Sequence, residues 1–356
     1  METLLLPTDT PESLARAVGE SRALLQSGEI VALPTETVYG LAGDALNPAA
    51  AAKIFEAKER PAFDPLIVHL PELEWLERLA AIPAADRPLV ASLTERFWPG
   101  PLTLILPRRS IVPDIVTSGL PSVALRMSAH PVFRAVAQAC QRPLAAPSAN
   151  RFGRISPTAA RHVMSELAGR IRLVVDGGPA LHGVESTIVA IAKGRIKVLR
   201  PGPVTREMLA EFGEVTGEGS RGDAQALAEA GEPTGESARP AAPGQLKSHY
   251  APRTPLVIVE PGQPLPNLAG MRCGLLAWGG SKAAAASGES GKFEMVESLS
   301  DSGEMREAAT RLFAAMRRLD EAGLDLIAAE AVPESGLGAA IMDRLRKAQH
   351  GGGFSR

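Results

Sequence analysis

Residues 213–243, GEVTGEGSRGDAQALAEAGEPTGESARPAAP, are nearly empty of large apolar side chains, and this gap constrains the fold more than any other feature of the sequence. A stretch filled with Gly, Glu, Ala, Ser and Pro buries too little surface to offset the entropy of ordering it, so it reads as a linker. The chain then folds as separate units on either side, in keeping with the two domains or so that 356 residues suggest. The expected division is 1–212 for a first domain, 213–252 for the linker and 253–356 for a second domain.

The first unit is a succession of short apolar runs set between helical stretches. Helical spacing through Leu14, Val18 and Leu25 marks residues 11–27, closed by Gly28. Strands are expected over 29–34, 66–70, 102–106, 122–127, 171–175, 186–192 and 196–199, the last two joined by a hairpin at Lys193-Gly194. A helix over 47–58 has Asn47 as its cap and Pro48 at its first position. It stops near Lys58 because Pro61 pushes Arg60 into an extended conformation. Further helical pieces fall over 71–98, broken at Pro83 and Pro88, and over 131–141. This mixture predicts an α/β or α+β sheet domain. Beyond the linker, strands at 256–260, 273–278, 293–297 and 325–331 alternate with helices at 304–322 and 338–349. Leu312, Met316 and Leu319 form one stripe on the first of these helices. The pattern is that of a small doubly wound α/β domain.

Composition excludes several classes of function. No run of about 18 apolar residues exists, so no membrane span is expected. The opening METLLLPTDTPESL has acids early and no basic n-region, which argues against a secretory leader. Cys140 and Cys273 are too few and too far apart for a disulfide framework or a CxxC site, which points to the reducing cytoplasm. Net charge is −2 and aromatics make up 4% of the chain, so tight nucleic-acid binding is not expected.

Residues able to carry chemistry gather at the ends of the expected elements. Lys58 and Arg60, two apart in an extended segment, share a face. Beside a glycine-containing turn and the strand that carries His69, they suit a small polyanion. Equally, a lysine in a last helical turn offsets the helix dipole, and an arginine before proline is often solvated. The company of Thr35, Thr37, Tyr39 and His69, all at element ends, favours the ligand. Arg126 lies in a strand otherwise made of Val, Ala, Leu and Met, so it needs an anionic partner, either a protein carboxylate or a ligand carboxylate. Ser148 and Asn150, like Ser186 and Thr187, suit either turn formation or a ligand. Arg200, at a strand end, is either a surface charge or a ligand contact. Together these residues could hold phosphates and a carboxylate without a metal cage. The six histidines show no metal-ligand spacing. There is no P-loop and no GxSxG elbow, and Gly336-Leu337-Gly338 lacks the third glycine of a dinucleotide fingerprint.

The motifs PTETVYGLAGDA, KERPAFDPLIVH, FWPGPLTLIL, SVALRMS, PLAAPSANRFGRISPT, GVESTIV and VLRPGPV occur in that order, followed by PGQLKSHYAPRTPL and GLGAAIMDRLRKA. On these motifs the sequence closely resembles the threonylcarbamoyl-AMP synthase family in its long, two-domain form. The resemblance implies a twisted, open mixed α/β sheet of YrdC-like type around a positive cavity, followed by a smaller, doubly wound Rossmann-like domain. It implies a nucleotidyltransferase that joins L-threonine, bicarbonate (or CO2) and ATP into L-threonylcarbamoyladenylate and releases pyrophosphate. The product would pass to a tRNA threonylcarbamoyl transferase, which modifies the adenosine beside the anticodon.

Carried over residue by residue, the family's KxR…SxN signature falls on Lys58, Arg60, Ser148 and Asn150, with Lys58 and Arg60 in the catalytic role. Contacts to L-threonine fall on Thr35, His69, Arg126, Ala146 and Ser186. Contacts to ATP fall on Lys58, Ser122, Ser148, Asn150, Ser156 and Arg200, and on His249 and Tyr250 of the linker. Mg2+ is expected to enter with ATP, with no dedicated protein site. The chain departs from the family pattern at Ala62, where a basic residue is common, and at Asp64, Ala190 and Gln245. Under this resemblance Lys58, Arg60 and Mg2+ stabilise the departing pyrophosphate, and Arg126 clamps the threonine carboxylate. His69 orients threonine, and His249-Tyr250 close over the nucleotide. Two other readings are a non-catalytic RNA- or nucleotide-binding regulator and a carbamoyl-transferring domain that uses carbamoyl phosphate.

Overall fold

The structure is a computed structural model that describes residues 1–217, 242–246, 248–260, 270–279 and 293–351. The first unit is built on strands β1 (Leu4–Pro7), β2 (Val31–Leu33), β3 (Gly40–Asp44), β4 (Ile67–His69), β5 (Leu102–Pro107), β6 (Ser122–Arg126), β7 (Leu144–Ala145), β8 (Leu173–Asp176), β9 (Thr187–Ala192), β10 (Arg195–Arg200) and β11 (Val215–Gly217). They form one mixed sheet in the order β1-β8-β2-β3-β7-β4-β6-β5-β9-β10-β11. Parallel pairing joins β4 to β6 and β5 to β9, while β6 runs antiparallel to β5, and β9 to β10. This alternation brings the C-terminal ends of β4, β6 and β10 to the same edge as the N-terminal end of β9. That edge carries the site.

Local sequence explains the flanking elements. Asn47 caps the helix Pro48–Lys58 by accepting from the Ala49 and Ala50 N–H groups. The helix ends at Lys58, two residues before Arg60, because Glu59 takes the left-handed conformation, with φ of 54°. That is a C-cap more often filled by glycine. Lys193 and Gly194 both have positive φ, as a two-residue turn between β9 and β10 requires. Apolar clusters cover both faces of the sheet, one centred on Leu41, Ile54, Leu104 and Leu125 and the other on Leu33, Phe133 and Leu173.

Strands β1, β3 and β11 were not foreseen, and the short β7 was not delimited. In β3 the glycines hide the signal, since glycine weakens strand propensity. Both serve close approach: a Cβ on Gly40 would lie 3.3 Å from that of Ala146, and one on Gly43 would lie 3.2 Å from Ile54. Strand β11 falls inside the stretch read as linker, where it pairs in parallel with β10. Most of the remaining expected linker lies outside the described residues.

The second unit is a parallel sheet of β12 (Leu256–Val259), β13 (Cys273–Ala277), β14 (Met295–Ser298) and β15 (Leu326–Glu330), in the order β12-β15-β13-β14. The helix Met305–Glu321 packs its Leu312, Met316 and Leu319 stripe, all fully buried, into the core. Burial of each such side chain is worth roughly 2–3 kcal/mol. That core also takes in Val38, Ile155, Val184 and Tyr250 from the first unit and the segment after it, so the two units share apolar packing. Gly183 fits against the backbone of Ala309 and Thr310, where a Cβ would come within 2.3 Å of the Ala309 carbonyl oxygen.

Candidate active site

Neighbouring strands set the site's geometry residue by residue. The β4/β6 register pairs His69 with Arg126, so imidazole and guanidinium emerge side by side at the sheet edge. Ser186 immediately precedes β9, and Arg200 closes β10 opposite it, donating from Nε and Nη2 to the Ser186 carbonyl at 3.1 and 3.0 Å. The turn after β2 brings in Thr35, whose hydroxyl meets that of Thr37 at 2.9 Å and donates to the Val38 carbonyl. A bridge between Gly40 and Ser148 carries Ala146, Pro147 and Ser148 along the same edge.

These groups line one cavity together with Arg60, Glu185, Pro243, Gly244, His249 and Tyr250. Its volume is about 40 Å3, room for a few water molecules and far less than a nucleotide. Pro243, Gly244, His249 and Tyr250 account for the tight fit. The Pro243 carbonyl accepts from Arg200 Nη1, and Gly244 has φ of 80° with its Cα against the Tyr250 hydroxyl and the Arg200 side chain. A Cβ there would come within 2.5 Å of that hydroxyl, so only glycine fits. Tyr250 is itself left-handed at φ 61°, and its ring packs on His249 and Phe313.

Three of the five Arg126 N–H groups are engaged within the protein. They donate to Glu36 Oε1 at 2.7 Å, to the Thr37 hydroxyl at 3.0 Å and to the Gly100 carbonyl at 3.2 Å. The anionic partner that its apolar strand demanded is therefore a protein carboxylate. Burial alone would push the Glu36 carboxyl up. The Arg126 charge and hydrogen bonds from Ser128, Arg126 and the Ala129 backbone instead bring it down to about 2. His69 goes the other way, to about 3, through burial and the nearby Arg126 charge, so it is a neutral imidazole. Its ring packs against Phe133 at a tilt of 41°, and Nδ1 has no hydrogen-bond partner among the described residues.

The other cations sit in a different environment. Lys58 is buried beneath the cavity wall and donates to the Ser148 and Asn150 carbonyls, the latter at 2.6 Å. Burial, then the charge of Arg60, pulls its ammonium well below the ordinary lysine range. Arg60 donates to the Asp64 and Pro65 carbonyls and pairs with the Asp64 carboxylate at 2.9 Å. Burial likewise lowers the guanidinium groups of Arg60 and Arg200.

Of the residues singled out from sequence, Thr35, Arg60, His69, Arg126, Ala146, Ser148, Ser186, Arg200, His249 and Tyr250 meet in this cavity. Lys58 and Asn150 lie just behind it and Ser156 is tied to Glu185, whereas Ser122 stands apart. It opens β6, four residues and about 13 Å along the strand from Arg126. Sequence reasoning passed over Glu36, Glu185 and Arg344. The first two sit within quoted motifs, PTET and GVEST, next to residues that were chosen. Arg344 had no signal, being one of several charges on the helix Gly338–Gly351. It is fully buried, pairs with Glu185 Oε2 at 2.9 Å and donates to the Pro201 carbonyl. Glu185 thus joins Ser156 of the first unit to Arg344 of the second.

Glu185 is the only carboxylate lining the cavity among the described residues, and none of those residues form a cluster of three or more His, Cys, Asp or Glu that could hold a metal ion. No described helix is long and apolar enough to cross a membrane.

Comparison with known proteins agrees along the whole chain. A family model described as "Telomere recombination" matches residues 23–202, and one described as "Threonylcarbamoyl-AMP synthase, C-terminal domain" matches 204–349. The chain is 41% identical to a threonylcarbamoyl-AMP synthase of Pyrococcus abyssi over 91% of both chains. It is 40% identical to that of Bacillus subtilis, over 97% of this chain and 95% of the relative. Among solved structures, P. abyssi Sua5 complexed with L-threonine superposes with a TM-score of 0.80 at 35% identity, covering 99% of this chain and 98% of that one. A doubly substituted form of the same protein gives 0.82, covering 98% and 97%.

Proposed function

The chain belongs to the threonylcarbamoyl-AMP synthase family, and from that premise we propose that its cavity joins L-threonine to bicarbonate or CO2 and adenylates the product with ATP, forming L-threonylcarbamoyladenylate and pyrophosphate. The observation that carries this reading is the meeting of Arg126, His69, Ser186, Arg60 and Arg200 in one buried cavity, with Lys58 directly behind. At one end, Thr35, His69, Ala146 and Ser186 surround Arg126, a set suited to an amino acid with a carboxylate and a hydroxyl. At the other, Lys58, Arg60 and Arg200, with Ser148 and Asn150, suit a triphosphate.

The chemistry follows from what each group offers. Arg126, already pinned by Glu36, presents its guanidinium to the threonine carboxylate without further ordering, which turns encounter into proximity. Neutral His69 has an unoccupied Nδ1 that accepts from, or donates to, the substrate's polar groups. Lys58 and Arg60 neutralise charge that builds on the phosphates as the carbamate oxygen attacks the α-phosphorus. One such donor is worth about 3–4 kcal/mol in a water-excluded site. Mg2+ belongs to the substrate: a single cavity carboxylate, already bound by Ser156 and Arg344, suits an ion carried in on the phosphates. It would offset phosphate charge there. His249 and Tyr250, whose packing leaves only about 40 Å3, withdraw to admit the nucleotide and then exclude water from the carbamate, which water decomposes. The product passes to a tRNA threonylcarbamoyl transferase. The buried free thiols Cys140 and Cys273 suit work in the cytoplasm.

Exchange of labelled pyrophosphate into ATP tests the reading. We expect exchange only when threonine and bicarbonate are both present. Exchange independent of threonine would refute it, and no exchange with all substrates supplied would refute it in favour of a non-catalytic nucleotide-binding regulator.

A further inference from the structure

Asp64 lies directly behind Arg60, and the reaction as described gives it no task. Its side chain is wholly buried and Oδ2 is 2.9 Å from Arg60 Nη2, yet neither carboxylate oxygen accepts a hydrogen bond among the described residues. Arg60 is held in place by other groups. Its Nε donates to the Asp64 carbonyl at 3.0 Å and its Nη2 to the Pro65 carbonyl at 2.8 Å. The backbone therefore supplies the geometry, and what the carboxylate adds is negative charge. Burial raises this carboxyl above the ordinary aspartate range, and the charges of Arg60, then Lys58 and Arg200, oppose that rise and favour the ionised form; of these, Arg60 and Arg200 line the cavity. A buried carboxylate with no hydrogen bonds is costly to keep, so a turn of this chain that retains one needs a reason beyond positioning.

We propose that Asp64 is a resident counter-anion that limits how tightly the cation cluster holds phosphates, so that pyrophosphate departs after the adenylate forms. The inference rests on the nucleotide reading above and assigns to that site the residue that sets its affinity. Binding that is equally strong for substrate and transition state does not raise turnover, and product release is a common limit on kcat. Arg60, Lys58 and Arg200 alone would favour retention. A unit charge a few ångströms behind Arg60 opposes a polyanion in front of it, by about tenfold or more in affinity at an effective dielectric near 20.

The test is Asp64→Asn, which keeps the side-chain shape and both backbone carbonyls that hold Arg60. With Mg2+ present, calorimetric titration of the full chain with inorganic pyrophosphate is expected to show a dissociation constant lowered about tenfold. KM for ATP should fall in parallel and kcat should fall with it, while KM for threonine stays the same. Asp64→Glu, which restores the charge, should return towards the parent values. A residue that merely props Arg60 in place would give the opposite sign, with weaker pyrophosphate binding in the Asn variant. Unchanged or weakened binding overturns the proposal, as does failure of Asp64→Asn to fold, since backbone contacts alone would then not suffice to place Arg60. If the parent protein binds no pyrophosphate at all, the nucleotide reading itself fails and takes this inference with it.

Discussion

The two ends of the cavity solve the problem of buried positive charge in opposite ways. At the Arg126 end the charge is met inside the protein, by Glu36 with Ser128 and Thr37 in support. At the Lys58–Arg60–Arg200 end most partners are backbone carbonyls, and the one paired carboxylate accepts no hydrogen bond. The first end is a preformed clamp whose charges balance before any ligand arrives. The second carries positive charge that burial penalises, so it gains most from a polyanion. Orientation comes from the one and electrostatic driving force from the other.

If that division holds, removing a phosphate-end cation should hurt turnover most. Lys58→Ala is expected to lower kcat for threonylcarbamoyladenylate formation by about a thousandfold, the upper range for one electrostatic donor. A loss of tenfold or less would break the comparison. At the clamp end, Arg126→Ala should lower kcat/KM for threonine by about a hundredfold and leave ATP affinity within a few-fold of the parent. It should also destabilise the fold by about 3–5 kcal/mol, because Glu36 is left buried without its partner. Denaturant unfolding measures the second effect. An Arg126 variant as stable as the parent would mean that Glu36 is not held by this pair.

A subtler prediction concerns the link between the units. Arg344→Met keeps the bulk of the helix residue but strands Glu185 beside Ser156. We expect a loss of about 3 kcal/mol in stability and a rise in KM for both substrates, since Ser186 and Arg200 adjoin Glu185. A rise confined to one substrate would show that Glu185 serves only that end.

The clamp and the charge reservoir were unequally legible in the sequence. Lys58 and Arg60 stood out because Asn47, Pro48 and Pro61 fix where the helix starts and where it must have stopped. The structure adds that Glu59 makes the turn. Arg126 was legible as a buried charge in an apolar strand, but its partner was not. Glu36 is 90 residues away, and the pairing depends on β6 ending beside the turn after β2, which no local pattern reveals. Strand β3 was hidden for a physical reason: the glycines that let it approach Ala146 and Ile54 are the ones that weaken its strand signature. Arg344 was invisible because its burial is a property of the contact between the units. On its own helix it is one charge among several.

The smallest effect separates the two ends by pH. His69 at the clamp end is held down to about 3, and His162, away from the cavity, also lies near 3. An unfolded histidine titrates near 6.5. Between those values the unfolded chain binds protons that the folded chain does not, so stability is complete above about pH 6.5 and declines as pH falls. Each such histidine contributes a slope of about 1.4 kcal/mol per pH unit. Glu36 acts in a lower window: its folded value of about 2 gives stability that is present above about pH 4.3 and is lost on further acidification. Between pH 6 and 4.5 the histidines therefore act with little contribution from the Glu36–Arg126 pair. In His69→Gln, unfolding free energies measured across that interval should show a slope shallower by about one proton, or 1.4 kcal/mol per unit, whatever the offset in stability at pH 7. An unchanged slope would place a charged imidazole beside Arg126, and the clamp would then share the reservoir's excess of positive charge.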